Sequence, residues 1–113
     1  MTAGCLFCRI ARGEVPSRKA YEDDEVIAFH DINPAAPVHL LLVPKVHLDS
    51  LVTTGPEHEA LLGKLIGLAP RLAKEQGCVN GFRVVINNGP DGGQEVYHLH
   101  IHILGGPRPW KRL

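Results

Sequence analysis

His98-Leu99-His100-Ile101-His102-Ile103-Leu104 is the stretch on which the reading of this chain turns: three imidazoles alternate with aliphatic residues, and the run closes on Gly105-Gly106. Successive side chains of an extended strand point to opposite faces. The pattern therefore predicts a strand over 98–104, with the histidines in one row and Leu99, Ile101 and Ile103 in a core. Neighbouring histidines of such a row stand roughly 6.8 Å apart at about 3.4 Å per residue, a spacing that suits several contacts to one phosphate-sized group or a metal bound beside a catalytic site. Just upstream, Gly92-Gly93-Gln94-Glu95 puts flexible backbone next to the imidazoles, and glycine lets amides approach an anion closely. The chain has no GxxxxGK[ST] and no strand-GxGxxG-helix unit, which excludes the two commonest glycine-loop routes to nucleotide binding.

Outward from this strand the chain reads as short strands and two helices. Phe82 to Asn87 is a strand, joined to the histidine strand through Gly89-Pro90-Asp91-Gly92-Gly93. Leu61, Leu62, Leu65, Leu68, Ala69, Leu72 and Ala73 recur at helical spacing, Thr54-Gly55-Pro56-Glu57 has the spacing of a capping box, and Gly77 offers a stop. Pro70 lies inside this long helix and cannot donate to the Ile66 carbonyl, which predicts a kink near residues 66–70. Lys19 to Glu22 and Val26 to Asp31 read as a hairpin around Asp23-Asp24. His39 to Val43 reads as an apolar strand closed by Pro44, after the turn-rich Asn33-Pro34-Ala35-Ala36-Pro37. Leu6, Phe7 and Ile10 have helical spacing ahead of Gly13, giving a short helix over 6–12. The expected fold is α+β, an antiparallel five-stranded sheet with one long and one short helix. With 113 residues the chain supports one core, so 1–113 is read as a single domain.

Lysine plus arginine and aspartate plus glutamate each number 12, so no global field draws the chain to nucleic acid or to an anionic membrane. Any anionic ligand must be held locally. The longest apolar runs, such as Val38 to Pro44, fall far short of a bilayer span, and a basic stretch followed by a long apolar segment is absent from the N-terminus; the expected location is the cytosol. Three cysteines, two of them in Cys5-Leu6-Phe7-Cys8, do not resemble a secreted disulfide framework. Metal or redox chemistry suits that pair, and Cys78 reads as an inert buried residue.

Gly93-Gln94-Glu95-Val96-Tyr97-His98-Leu99-His100-Ile101-His102-Ile103-Leu104-Gly105-Gly106 resembles the signature of the histidine triad (HIT) superfamily, specifically its Hint branch of purine nucleotide-binding phosphoramidases. The likeness extends over Phe29 to His39 and over Val43-Pro44-Lys45-Val46-His47. It implies a homodimer whose two sheets join into one, and a hydrolase that releases a nucleoside monophosphate, AMP by expectation, from a phosphoramidate through a covalent nucleotidyl-histidine. No cofactor is implied for the catalysis itself. Carried over, His100 attacks the α-phosphorus, as an imidazole with an unperturbed pKa near 6.5 is able to do at cytosolic pH. His102 binds a non-bridging oxygen, and His39 supports the triad as the third histidine of the catalytic group. Gly93 and Gln94 lie beside the phosphate, Asn87 binds near it, Asp31 takes the ribose hydroxyls, and Leu6, Phe7, Phe29 and Ile32 form the slot for the base. Ordinary core packing is the simpler reading of those four apolar residues. His30 and His58 receive no role.

Cys5, Cys8, His47 and His98 make a second constellation, a thiolate pair at CxxC spacing plus two imidazoles, which is a donor set that structural zinc prefers. It resembles the zinc site of a subset of bacterial HIT proteins. A redox dithiol and two unrelated buried cysteines are the alternatives for Cys5 and Cys8. Two departures stand out: Glu95 occupies a position where some Hint proteins carry a serine, and the tail Gly106-Pro107-Arg108-Pro109-Trp110-Lys111-Arg112-Leu113 differs from the family's. Two other functions fit the same pocket: a nucleotide-binding regulatory or scaffold protein with incidental activity, and a dinucleoside polyphosphate hydrolase. The Gly105-Gly106 ending speaks against the second.

Overall fold

In the computed structural model, which describes residues 4–111, helix α1 (Leu6–Ala11) precedes a hairpin of β1 (Lys19–Glu22) and β2 (Val26–His30). Then come β3 (Val38–Pro44), helix α2 (Glu59–Glu75), β4 (Phe82–Val85) and β5 (Ile101–Gly105). The strands form one five-stranded antiparallel sheet in the order β1-β2-β3-β5-β4, the α+β arrangement expected from the sequence.

The sheet is covered on both faces, which is why β2 and β3 carry nearly unbroken apolar runs. Val26, Ala28, Leu40, Leu42, Ile101 and Ile103 point to α2, which answers with Leu65, Leu68, Ala69, Leu72 and Ala73. Ile27, Phe29, Leu41 and Val43 point the other way, where Phe7 and Ile10 of α1 meet them. Strand register carries the histidines onto this second face: Leu41 pairs with His102 and His39 with Leu104, and paired residues share a face. The chemistry thus lies on the side of the sheet opposite the long helix.

Both helices end as their glycines predict. After α2, Gly77 takes a φ of 89°, Cys78 N–H donates to Ala73 O at 3.0 Å and Gly77 N–H to Lys74 O at 2.9 Å. Gly13 closes α1 in the same way, at a φ of 77°. Pro70 does not interrupt α2, which runs unbroken through it. A proline in a helix interior costs about 3 kcal/mol, and full burial of a leucine contributes about 1.5–3 kcal/mol, so Leu65 and Leu72, at 0% and 1% exposure, offset it.

Three expectations shift. β5 begins at Ile101, three residues later than the alternation suggested, because Leu99 N–H donates to Leu48 O at 2.6 Å and the chain bends through 96–98. This bend takes His98 out of the strand that carries His102. The capping box expected at Thr54 and Glu57 belongs instead to Ser50 and Thr53, which cap a single 3-10 turn over Leu51–Thr53; the Thr54 hydroxyl donates to Leu51 O. A second such turn, Pro56–His58, leads into α2 with Gly55 N–H donating to His58 Nδ1. β4 stops at Val85, two residues before Asn87. Among the described residues no helix is long and apolar enough to cross a membrane.

Candidate active site

A cavity of about 970 Å³ opens on the α1 face of the sheet, with His100 and His102 in its wall. Its size lies at the upper end of small-molecule sites. Hydrogen-bond partners determine the proton positions on its imidazoles. Ala35 N–H donates to His39 Nδ1 at 2.9 Å, so the proton of neutral His39 resides on Nε2. That proton faces His102 Nδ1, which lies 2.9 Å from His39 Nε2, and Asp31 Oδ2 stands 3.5 Å from His39 Nε2. His102 therefore accepts at Nδ1 and keeps its own proton on Nε2 as a free donor. Burial, reinforced by His100 and His39 and opposed by Asp31, pushes His102 down to about 4; burial lowers His39 as well. Both rings are neutral at pH 7, as the relay requires.

His100 is oriented by backbone. Its Nδ1–H donates to the His98 carbonyl at 2.8 Å, which leaves the Nε2 lone pair free. Its ring meets Phe7 edge-on at 5.2 Å between centroids and His102 at 5.0 Å. With its proton on Nδ1, His100 presents the Nε2 lone pair beside an N–H donor, an arrangement able to attack an electrophilic centre and to hold the oxygen on which charge develops.

The slot residues come together unevenly. Phe7 and Phe29 are buried and pack edge-to-face at 5.5 Å, whereas Leu6 is 46% exposed and Ile32 is 92% exposed at the mouth. Asp31 lines the cavity half-buried, and its Oδ1 accepts Asn33 N–H at 2.8 Å. Asn87 also lines the wall.

The glycine loop corrects the sequence reading. The N–H groups of Gly92, Gly93 and Gln94 are bonded within their own turn, to Gly89 O, Pro90 O and Gly89 O, so they are not the free anion donors expected. Gly93 still lines the cavity, but Gln94 does not. Its buried side chain accepts from Gly89 N–H and donates to Asp49 O and Val96 O, pinning the loop instead. His39 too lies behind the wall and meets the cavity through His102 and Asp31.

Sequence reasoning missed Arg18 and His30, both in the cavity wall. Their signal was the hairpin itself. β1 pairs with β2 so that His30 N–H donates to Arg18 O, and choosing Phe29 and Asp31 would have drawn in the residue between them and its partner across the hairpin. Glu95 also lines the cavity, exposed.

Next to this site the donor atoms of Cys5, Cys8, His47 and His98 lie within 4.8 Å of one another. Cys5 Sγ and Cys8 Sγ stand 3.3 and 3.4 Å from His98 Nδ1, and Cys8 Sγ is 3.2 Å from His47 Nδ1. Tetrahedral zinc with bonds of about 2.0–2.3 Å separates its ligands by roughly 3.3–3.8 Å, so the group needs little adjustment to close on an ion. Both imidazoles are turned for that role: His98 Nε2–H donates to Pro44 O at 2.7 Å and His47 Nε2–H to Asp49 Oδ1 at 2.8 Å, leaving each Nδ1 bare. Burial and the adjacent Cys5 push the Cys8 thiol up to about 11, so a cation at the centre is what makes the thiolate the favoured form. The residues fit a zinc ion. Asp31, His39 and His102 also converge, but the His39–His102 hydrogen bond occupies the nitrogens that a metal would need.

A two-sided antiparallel sheet with linked histidines on the face away from its long helix defines the class, and sequence likeness gives the family. The HIT domain matches residues 12–108, and the chain belongs to that family. It is 57% identical over 103 residues to Protein HitA of Neisseria gonorrhoeae, covering 91% of this chain and 96% of that protein. It is 48% identical over 103 residues to a 14 kDa zinc-binding protein of Zea mays, covering 89% and 80%. A crystal structure of a HIT family hydrolase from Legionella pneumophila Philadelphia 1 superposes with a TM-score of 0.90 at 43% identity, covering 93% of this chain and 95% of that one.

Proposed function

We propose that the chain is a single-domain nucleotide-binding hydrolase of the Hint type, which releases a purine nucleoside monophosphate from a phosphoramidate. The observation that carries this reading is the His100 ring, whose proton is held on Nδ1 by the His98 carbonyl so that Nε2 faces chemistry as a lone pair. In the proposed reaction Nε2 attacks the α-phosphorus in line with the P–N bond. That bond breaks, and the amine departs with its electron pair and takes a proton from water. A second water then attacks the nucleotidyl-histidine and gives its proton to the hydroxide left by the first, the P–Nε2 bond breaks, and neutral His100 and free nucleotide are returned. His102 Nε2–H donates to a non-bridging oxygen throughout, its tautomer supported by His39. Phe7 and Phe29 flank the base, and Asp31 accepts from the ribose hydroxyls.

The description of the Legionella structure as a hydrolase supports the reaction class, and the name of the maize relative supports zinc in the Cys/His cluster. A reducing cytosol would keep Cys5 and Cys8 free to act as metal ligands. The working form is a homodimer joined along β4, an edge strand whose Phe82 and Val84 are 39% and 38% exposed. His100→Ala tests the mechanism. Release of AMP from an adenosine phosphoramidate should fall by orders of magnitude while AMP affinity stays near wild type, because the slot and Asp31 are intact. Retention of more than a minor fraction of the activity refutes the covalent route.

A further inference from the structure

The cavity and the Cys/His cluster share their parts. Helix α1 has six residues, far below the length at which a helix persists on its own, so its position depends on what clamps it. It starts on Cys5, whose Sγ accepts Cys8 N–H at 3.4 Å, and its first turn carries Leu6 and Phe7 into the cavity wall. Phe7 touches both sides of the arrangement, with its ring edge-on to His98 at 6.1 Å and to His100 at 5.2 Å. His98 is fully buried and engaged in three directions: Nδ1 toward both cysteines, Nε2–H on Pro44 O, and its carbonyl on His100 Nδ1–H. Because His98 and His100 are only two residues apart, outside regular strand at this point, any turn of the His98 peptide moves the acceptor that orients the nucleophile.

We propose that Cys5 and Cys8 are positioning residues of the nucleotide site: with zinc held between them, His47 and His98, they fix the α1 wall of the base slot and the His98 carbonyl that keeps the His100 proton on Nδ1. This rests on the reading of the cavity as a nucleotide site. Cysteines that merely stabilise the fold would leave AMP affinity and the His100 tautomer unchanged in any variant that stays folded.

The test compares zinc-loaded wild type with Cys5→Ser, which keeps an acceptor at the start of α1 but is a poor zinc ligand, and with Cys5→Asp, which supplies an anionic oxygen ligand in its place. Cys78→Ser controls for loss of a thiol elsewhere. AMP affinity is read by calorimetry and the His100 ring protonation by nitrogen-15 NMR, at a temperature where circular dichroism shows each protein folded. Cys5→Ser should lose zinc, bind AMP about tenfold more weakly and spread the His100 proton over both ring nitrogens, while Cys5→Asp and Cys78→Ser keep wild-type behaviour. A folded, zinc-free Cys5→Ser with wild-type affinity and the proton still on Nδ1 overturns the proposal. Should Cys5→Ser fail to fold, cobalt(II)-substituted wild type decides: saturating AMP should shift its visible ligand-field bands, and unmoved bands overturn the coupling. If wild type itself takes no AMP, the nucleotide reading falls, and the His100 tautomer in Cys5→Ser still settles the positioning role.

Discussion

Acidification should destabilise this protein through His102 by about 3 kcal/mol. The ring is 9% exposed, accepts the His39 proton at Nδ1, and has its pKa held down to about 4 by burial and by its two histidine neighbours. An unfolded histidine titrates near 6.5, so the difference is about 2.5 pH units, each worth about 1.4 kcal/mol. The sign follows from proton uptake. Above about pH 6.5 neither state binds the proton and the contribution is fully present; as pH falls toward about 4 the unfolded chain binds it first, and stability drains away. Urea unfolding of wild type and His102→Gln, from about pH 7 down to about pH 4, measures the effect, since glutamine can still accept from His39 Nε2–H but does not titrate. His39 and His98, whose pKa values burial also lowers, stay in both proteins, so most of their contribution cancels in the comparison. Wild type should lose about 3 kcal/mol more than the variant over this range. Parallel losses in the two proteins would refute the assignment of His102 as a neutral buried relay.

Three further outcomes are expected. Asp31→Ala should weaken AMP binding by about 1.5–3 kcal/mol, the scale of hydrogen bonds to a charged group, while affinity for inorganic phosphate stays unchanged; calorimetry with both ligands separates the two. Metal analysis of protein purified without added zinc should find about one zinc per chain, and chelation should expose Cys5 and Cys8 to thiol titration; freely titratable thiols before chelation count against the site. Sedimentation at micromolar concentration should show a species of twice the 12.3 kDa chain mass, and Val84→Lys at the β4 edge should shift it toward monomer; a wild type that runs as monomer removes the joined-sheet arrangement.

Periodicity by itself determined the architecture. The apolar runs of β2 and β3, the alternation of β5, the leucine spacing of α2, and the glycines at 13 and 77 were local patterns, and all were legible in the chain. The histidine motif was legible too, because its residues are consecutive. Only the tertiary structure decided how those residues divide their work. Leu48 captures Leu99 N–H, bends the chain and turns His98 to the cysteines while its carbonyl orients His100, a consequence of a contact between segments some 50 residues apart that no local pattern encodes. The His102 tautomer depends in the same way on His39 Nε2–H, which reaches it from a distant strand, whereas the Ala35 N–H bond to His39 and the bonds within the glycine turn are local contacts that side-chain period does not report. Side-chain period is set by backbone geometry and can be read one residue at a time, whereas desolvation and the hydrogen bonds that join distant segments exist only once those segments have packed.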